Sequence, residues 1–143
     1  MTHDMRFDDQ VAVITGAGGG LGKEYALLLA SRGARVLVND IGGSVTGAGS
    51  NTDAATNAVE EIRQHGGEAI ADTHSVAAPE GGQAIIDAAM QAWGRVDIVI
   101  NNAGIVRDAP FEDITADRLD PDAGAFGREC RPARRPVSSG RAG

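Results

Sequence analysis

Apolar positions along the chain fall into four short runs separated by amphipathic stretches, and this alternation predicts the fold. Val11-Ala12-Val13-Ile14 is rich in β-branched residues and ends in a cluster of glycines, the pattern of a buried strand. From Leu21 to Ser31 the segment LGKEYALLLAS has no glycine after position 22, and it predicts a helix closed by Gly33. Arg35-Val36-Leu37-Val38-Asn39 predicts a second strand. Residues 41–52, IGGSVTGAGSNT, are too rich in glycine for helix or strand and predict a long loop. Thr52 to His65 predicts a helix with Ala55, Val59 and Ile62 on one face, stopped by Gly66-Gly67. Ala69-Ile70-Ala71 is a short third strand. Pro79 to Trp93 predicts a third helix whose apolar side carries Ala84, Ile85, Ala88, Ala89 and Ala92, with Gly94 as its cap. Val96 to Ile100 predicts the fourth strand, and its nearly continuous apolar character predicts burial on both faces.

The order β-α-β-α-β-α-β with mostly short links predicts an α/β fold: a Rossmann-like, doubly wound parallel sheet with helices on both faces and right-handed crossovers. No internal repeat is present at the scale of 20–50 residues. Thr115 is placed to cap a further helix, which Pro121 and Gly124 cut short, and periodicity ends there.

Composition narrows the function. A chain of 143 residues has the size of one small domain, and 42% apolar with 23% charged residues is ordinary for a globular protein. Aromatics, at 3%, are too scarce for a stacking platform on single-stranded nucleic acid. Cys130 is the sole cysteine, which excludes an internal disulfide and a cysteine-based zinc site. The opening MTHDMRFDDQ is polar and acidic, unlike a secretory signal, and no apolar run approaches the roughly 20 residues of a membrane helix. A cytoplasmic protein with no membrane or nucleic-acid partner is the expectation.

Between the first strand and the first helix lies Thr15-Gly16-Ala17-Gly18-Gly19-Gly20-Leu21-Gly22. Glycines there allow a tight turn and let backbone N–H groups approach an anion, and the helix start adds positive partial charge. A Walker A loop fails twice, because positions 17 and 24 are Ala17 and Glu24. A GxGxxG reading from Gly16 fails at Leu21, whereas GxxxGxG fits Gly16, Gly20 and Gly22. Asp40 closes the second strand, 18 residues beyond Gly22, where a dinucleotide fold wants an acid for the adenosine ribose hydroxyls. A carboxylate repels a 2′-phosphate, so NAD is favoured over NADP. The plainer reading of Asp40 is a solvated strand-end acid.

TGAGGGLG, Asp40 and Asn101-Asn102-Ala103-Gly104 together resemble the short-chain dehydrogenase/reductase family over about residues 9–120. VLVNDIGG with its glycine loop, then NNAGIVRD, looks like the (3R)-hydroxyacyl-CoA dehydrogenase part of peroxisomal multifunctional enzymes of type 2 and their bacterial relatives. The resemblance implies NAD-dependent interconversion of a secondary alcohol and a ketone, 3-hydroxyacyl-CoA and 3-oxoacyl-CoA in particular, usually in a homo-oligomer. It also implies that Gly16, Gly20, Leu21 and Gly22 contact the phosphates and Asp40 the ribose. Asn102, Ala103 and Gly104 would lie beside the adenosine–nicotinamide bridge. Many relatives carry an acid near the adenine; here that position is His74, with Ser75 and Val76 left to make backbone contacts.

The family's chemistry also needs a serine and a Tyr-x-x-x-Lys pair. The sole tyrosine is Tyr25, position 29 is Leu29, and the sole lysine, Lys23, precedes both. Ser138 and Ser139 follow Ala133-Arg134-Arg135-Pro136, which has no strand pattern, so no catalytic residue is expected and the 143-residue chain is expected to be inactive. Residues 1–122 carry 8 basic and 19 acidic side chains, net −11, while residues 123–143 carry 5 Arg and 1 Glu, net +4, which together make the chain's −7. This gives two expected regions: a truncated dinucleotide-binding domain over 1–120 and an irregular basic tail over 121–143. Text rich in Arg, Pro and Gly is what a GC-rich gene yields out of frame, so a reading-frame break is the expected cause. A natural basic tail that binds nucleic acid or membrane, and a noncatalytic dinucleotide sensor, stay open. His3 and His65 have no second ligand beside them, so no metal is expected; Trp93 and Tyr25 read as packing residues, and Arg107-Asp108 as a salt-bridged loop.

Overall fold

Five consecutive residues, Val11–Thr15, are buried, and they form strand β1 at the centre of the sheet. The fold is seen in a computed structural model, which describes residues 5–42 and 53–104. Six further elements follow: α1 (Gly20–Ser31), β2 (Arg35–Asn39), α2 (Asp53–Gln64), β3 (Glu68–Asp72), α3 (Pro79–Trp93) and β4 (Ile98–Ile100). All the pairings are parallel and the strand order is β3-β2-β1-β4. Every strand therefore points its carboxyl end the same way, toward one rim of the sheet.

The alternation of side chains across the sheet decides which helix covers which face. Ile14, Val36 and Val38 pack with Ala26 and Ala30 of α1 and with Ala55, Val59 and Ile62 of α2. Val11, Val13 and Leu37 point to the other face, where Ile85 and Ala89 of α3 cover them. The sheet is thus doubly wound, as the alternation predicts. Each fully buried Val, Leu or Ile side chain among them stabilises the fold by roughly 1.5–3 kcal/mol. Helix α1 buries only Gly22, Ala26 and Ala30, so it lies close on the sheet and leaves Leu21 and Leu28 exposed. Gly94, left-handed at φ 73°, ends α3 and donates its N–H to the Met90 carbonyl at 2.8 Å.

Two expectations need correction. β4 begins at Ile98 rather than Val96 and is not buried on both faces: Ile98 and Ile100 are half-buried, and Val99 is 36% exposed. Apolar character marks a strand that wants covering, but β4 pairs only with β1 among the described residues. Ala92 is exposed instead of lying on the buried side of α3, whose covered stripe is Gly82, Ile85 and Ala89. The expected helix at Thr115, the loop residues 43–52, Arg107-Asp108, Ser138, Ser139 and the 121–143 tail lie outside the described residues.

At the opposite rim Asp97 ties the entry of β4 to β1. Its Oδ2 accepts the Val11 N–H at 2.8 Å, and its own N–H donates to the Val11 carbonyl at 2.9 Å. Arg95 donates to both carboxylate oxygens, at 2.7 and 2.8 Å. These hydrogen bonds, the Arg95 guanidinium first and the Val11 amide second, hold the Asp97 carboxyl below the usual carboxylate range. A depressed carboxyl pKa contributes stability above its unfolded value and loses it as pH falls through the folded one. Asp97→Asn is therefore expected to lower the melting temperature at neutral pH. The gap should begin to narrow only below about 3.9 and close as the pH passes the lower value of the folded carboxyl; a gap that persists once folded Asp97 is protonated would refute this account.

Candidate functional site

The residues that the sequence marks out gather at the carboxyl rim of the sheet. Beyond β1 the chain turns through Gly16, at φ 64°, where an added Cβ would stand 2.9 Å from the Ala103 Cα. Glycine is required there by both conformation and space. At Gly22 the limit is space: a Cβ would stand 2.6 Å from the Gly16 carbonyl oxygen and collide with the Asn102 amide. Gly19 and Gly20 have nothing within 4 Å on that side, so between the two tight glycines the turn opens. Gly19 is the N-cap of α1 and provides no side-chain cap, and no acidic residue lies in the first turn. The helix start therefore presents backbone donors and an uncompensated positive partial charge. Leu21, 61% exposed, lies beside this opening.

Asp40, immediately after β2, closes one side of the turn. Its Oδ2 accepts the Gly18 N–H at 2.8 Å and its Oδ1 the Gly42 N–H at 2.7 Å. Each carboxylate oxygen keeps a further lone pair for another donor. On the other side, Asn102 follows β4 and donates from Nδ2 to the carbonyls of Thr15 and Gly16, both at 3.2 Å. Ala103 is pinned by its N–H to the Thr15 hydroxyl at 3.0 Å, and Gly104, the next residue, is exposed.

At the end of β3 the geometry is different. Asp72 is buried and accepts from Asn39 Nδ2 at 2.7 Å and from the His74 N–H at 2.9 Å, both on Oδ1. Its Oδ2 meets His74 Nδ1 at 2.8 Å. Ser75 is exposed, and its hydroxyl accepts the Ala77 N–H at 3.2 Å. The Val76 side chain packs against the Val11–Leu37 cluster, which leaves its backbone as the part able to meet a ligand.

Three residues at this rim are missed by motif reading. Thr15, 1% exposed, accepts the N–H groups of both Asn102 and Ala103 on one hydroxyl and so locks the β4 exit to the glycine turn. Asn39 and Asp72 are the other buried polar residues among those described. The available signal was a polar residue directly ending an apolar strand, which is costly to bury without a partner. Tyr25 packs against the α1–α2 core cluster, Lys23 pairs with Glu61, and Trp93 packs on the α3 side with its Nε1–H on Glu68. Among the described residues no helix is long and apolar enough to cross a membrane, and no group of three or more acids, histidines or cysteines could hold a metal ion.

The profile of the short chain dehydrogenase family matches residues 10–121. The chain belongs to that family. It is 54% identical over 115 residues to the peroxisomal hydratase-dehydrogenase-epimerase of Saccharomyces cerevisiae, a match covering 80% of this chain and 13% of that protein. A short chain dehydrogenase from Mycobacterium avium superposes with a TM-score of 0.72 at 40% identity, over 85% of this chain and 46% of that one. A 7α-hydroxysteroid dehydrogenase in complex with NADH and 7-oxo glycochenodeoxycholic acid gives 0.70 at 39% identity, over 82% and 42%. The chain thus spans less than half the length of each of these short-chain dehydrogenase relatives. The glycine turn, Asp40 and Asn102 to Gly104 all fall inside the matched stretch.

Proposed function

We propose that these residues form the NAD-binding half of an oxidoreductase that interconverts a secondary alcohol and a ketone, with 3-hydroxyacyl-CoA and 3-oxoacyl-CoA as the substrate pair. The observation that carries the reading is the Asp40 carboxylate fixed on the Gly18 N–H at the mouth of the open glycine turn. A pyrophosphate suits the donors of the α1 start, and vicinal ribose hydroxyls suit the lone pairs left on Asp40. The open space at Gly19 and Gly20 fits that ligand, because a side chain there would occupy it. When bound, NAD supplies the hydride acceptor. This chain's own residues bind and orient: Gly16 and Gly22 hold the turn close to Asn102 and Ala103, and Thr15 fixes those two in turn. The acyl-CoA part of the reading rests on the resemblance of VLVNDIGG and NNAGIVRD to the multifunctional enzymes.

A 2′-phosphate beside Asp40 would bring like charges together, which is unfavourable. NAD is therefore expected to bind this protein about tenfold or more tightly than NADP, and Asp40→Ala to shrink the ratio. Calorimetric titration giving equal affinities for the two dinucleotides would overturn the assignment. A second reading, dinucleotide binding without catalysis, is favoured by the absence of any Tyr-x-x-x-Lys from the 143 residues.

A further inference from the structure

Away from the glycine turn, α1 and α2 leave a hollow of about 410 Å³ between them, floored by Leu27, Leu28 and Ile62 and edged by Glu24 and Glu61. Leu28 is 51% exposed there. A second hollow of about 260 Å³ meets the first at Ala30 and Gly67 and carries Asp8, Asp9 and Glu68. The two make one trough with an apolar middle and acidic ends. Lys23 pairs with Glu61, Arg6 with Asp8, and Arg35 is shared between Asp9 at 3.6 Å and Glu68 at 3.2 Å. Three cations thus serve four of the five carboxylates, and Glu24 has no ion-pair partner among the described residues. His65 also lines the trough, with its Nδ1 on the Glu61 carbonyl.

The same chain carries a complement to this surface. Residues 123–143, which lie outside the described residues, hold Arg128, Arg131, Arg134, Arg135 and Arg141 against Glu129 alone, net +4, with Pro132, Pro136 and Val137 among them. The preceding 122 residues carry net −11. Arginine suits such a trough twice over: its methylene stem lies along apolar surface while its guanidinium forks onto carboxylates. Reach is sufficient. Residues 105–122 number 18 and span up to roughly 60 Å when extended, whereas a domain of this size has a radius of gyration of about 13 Å. Because both parts belong to one chain, their meeting is intramolecular, and individually weak contacts suffice.

We propose that the basic segment 123–143 docks in the acidic-edged trough between α1 and α2, its arginines on Glu24, Glu61, Asp9 and Glu68 and its apolar residues over Leu27 and Leu28. Neither the glycine turn nor Asp40 lines the trough, so the inference stands independently of the NAD-binding reading. A segment of the same chain is favoured over a second copy, because two molecules of net charge −7 repel each other. The acidic remainder of the chain disfavours nucleic acid as the segment's partner for the same reason.

Cys130, the sole cysteine, lies inside the segment and takes a nitroxide label without any substitution. In nitrogen-15 spectra of the 143-residue protein the label is expected to erase the amide signals of Leu28, Ser31, His65 and Gly67, which line the trough. It should spare those of Glu80 and Asp87 on α3, across the sheet. In about 1 M salt, where the Debye length falls to ~3 Å, the erased signals should return. The double substitution Arg134→Glu and Arg135→Glu should restore them at low salt, and Glu24→Lys, at an exposed position of α1, should do the same from the other side. In the unlabelled chain the double substitution should shift the same four amides and leave α3 unmoved, which separates docking from any effect of the label. Erasure nowhere, erasure as strong on α3 as on α1 and α2, or erasure that persists in 1 M salt would overturn the proposal. So would erasure when label and nitrogen-15 are carried by different molecules in a mixture, which would assign the trough to a second copy. The salt and mixing arms need no substituted protein.

Discussion

Gly22→Ala is expected to destabilise the protein strongly and to abolish dinucleotide binding with it. The new methyl group would stand 2.6 Å from the Gly16 carbonyl oxygen and 3.1 Å from the Ala17 Cα, both backbone atoms of a turn pinned on either side. It would also collide with the Asn102 amide, which is already bonded to the Thr15 and Gly16 carbonyls. Relief requires either that α1 lift from the sheet or that Asn102 leave its partners. Overpacking of this kind costs about 1–3 kcal/mol and sometimes more, a large part of the roughly 5–15 kcal/mol that holds a domain together. Gly19→Ala is the control, since φ there is −162° and nothing lies within 4 Å. It should leave the denaturation midpoint within about 0.5 kcal/mol of wild type while weakening NAD binding, because the methyl enters the cradle. If Gly22→Ala unfolds at the same denaturant concentration as Gly19→Ala, the close approach described here is wrong.

The second large effect concerns turnover. With NAD and a 3-hydroxyacyl-CoA, the 143-residue polypeptide is expected to produce no NADH above the buffer rate. Oxidising an alcohol needs a base to take the hydroxyl proton as the hydride leaves, and such a group is worth roughly 10²–10⁴-fold. Tyr25 is the sole tyrosine; it lies on α1 with its side chain packed against the core cluster, and no lysine stands four residues after it. Lys23 is engaged with Glu61 on α2. His74 is fastened to Asp72 at the end of β3, two strands away from the β1–β4 crevice. Absorbance at the nicotinamide band, followed over hours at high protein concentration, measures this directly. Sustained reduction of NAD by the purified chain would refute the account and would require a base that none of these residues supplies.

Most of this architecture was legible from the sequence because its signals are local. Gly33 and Gly94 close α1 and α3 where the glycine pattern puts them, and Val11 to Ile14 and Val36 to Val38 are buried as their β-branched runs require. The helix α2 and the strand β3 differ from expectation by one residue at each end, which is within the fraying of any element. What local pattern could not supply was partnership. Val96 to Ile100 reads as a strand covered on both sides, yet burial depends on what lies beside it, and β1 is its one described neighbour. Asn39 and Asp72 read as the polar ends of their strands, and only the register that sets Asn39 opposite Asp72 reveals them as a buried pair. Thr15 was legible as the start of the glycine motif but not as its clasp, because its partners lie more than eighty positions away.

That clasp bears on how quickly a ligand could be accepted. Two amides from the β4 exit converge on one hydroxyl that is anchored at the end of the central strand, so residues 102 and 103 are tied to the head of the glycine turn. Loops that must be arranged by their ligand lose mobility at the moment of contact, and that loss weakens the complex. For Asn102 and Ala103 that loss falls within folding itself, because the Thr15 hydroxyl holds both. Association should then be governed by diffusion and long-range charge, with no slow rearrangement in between.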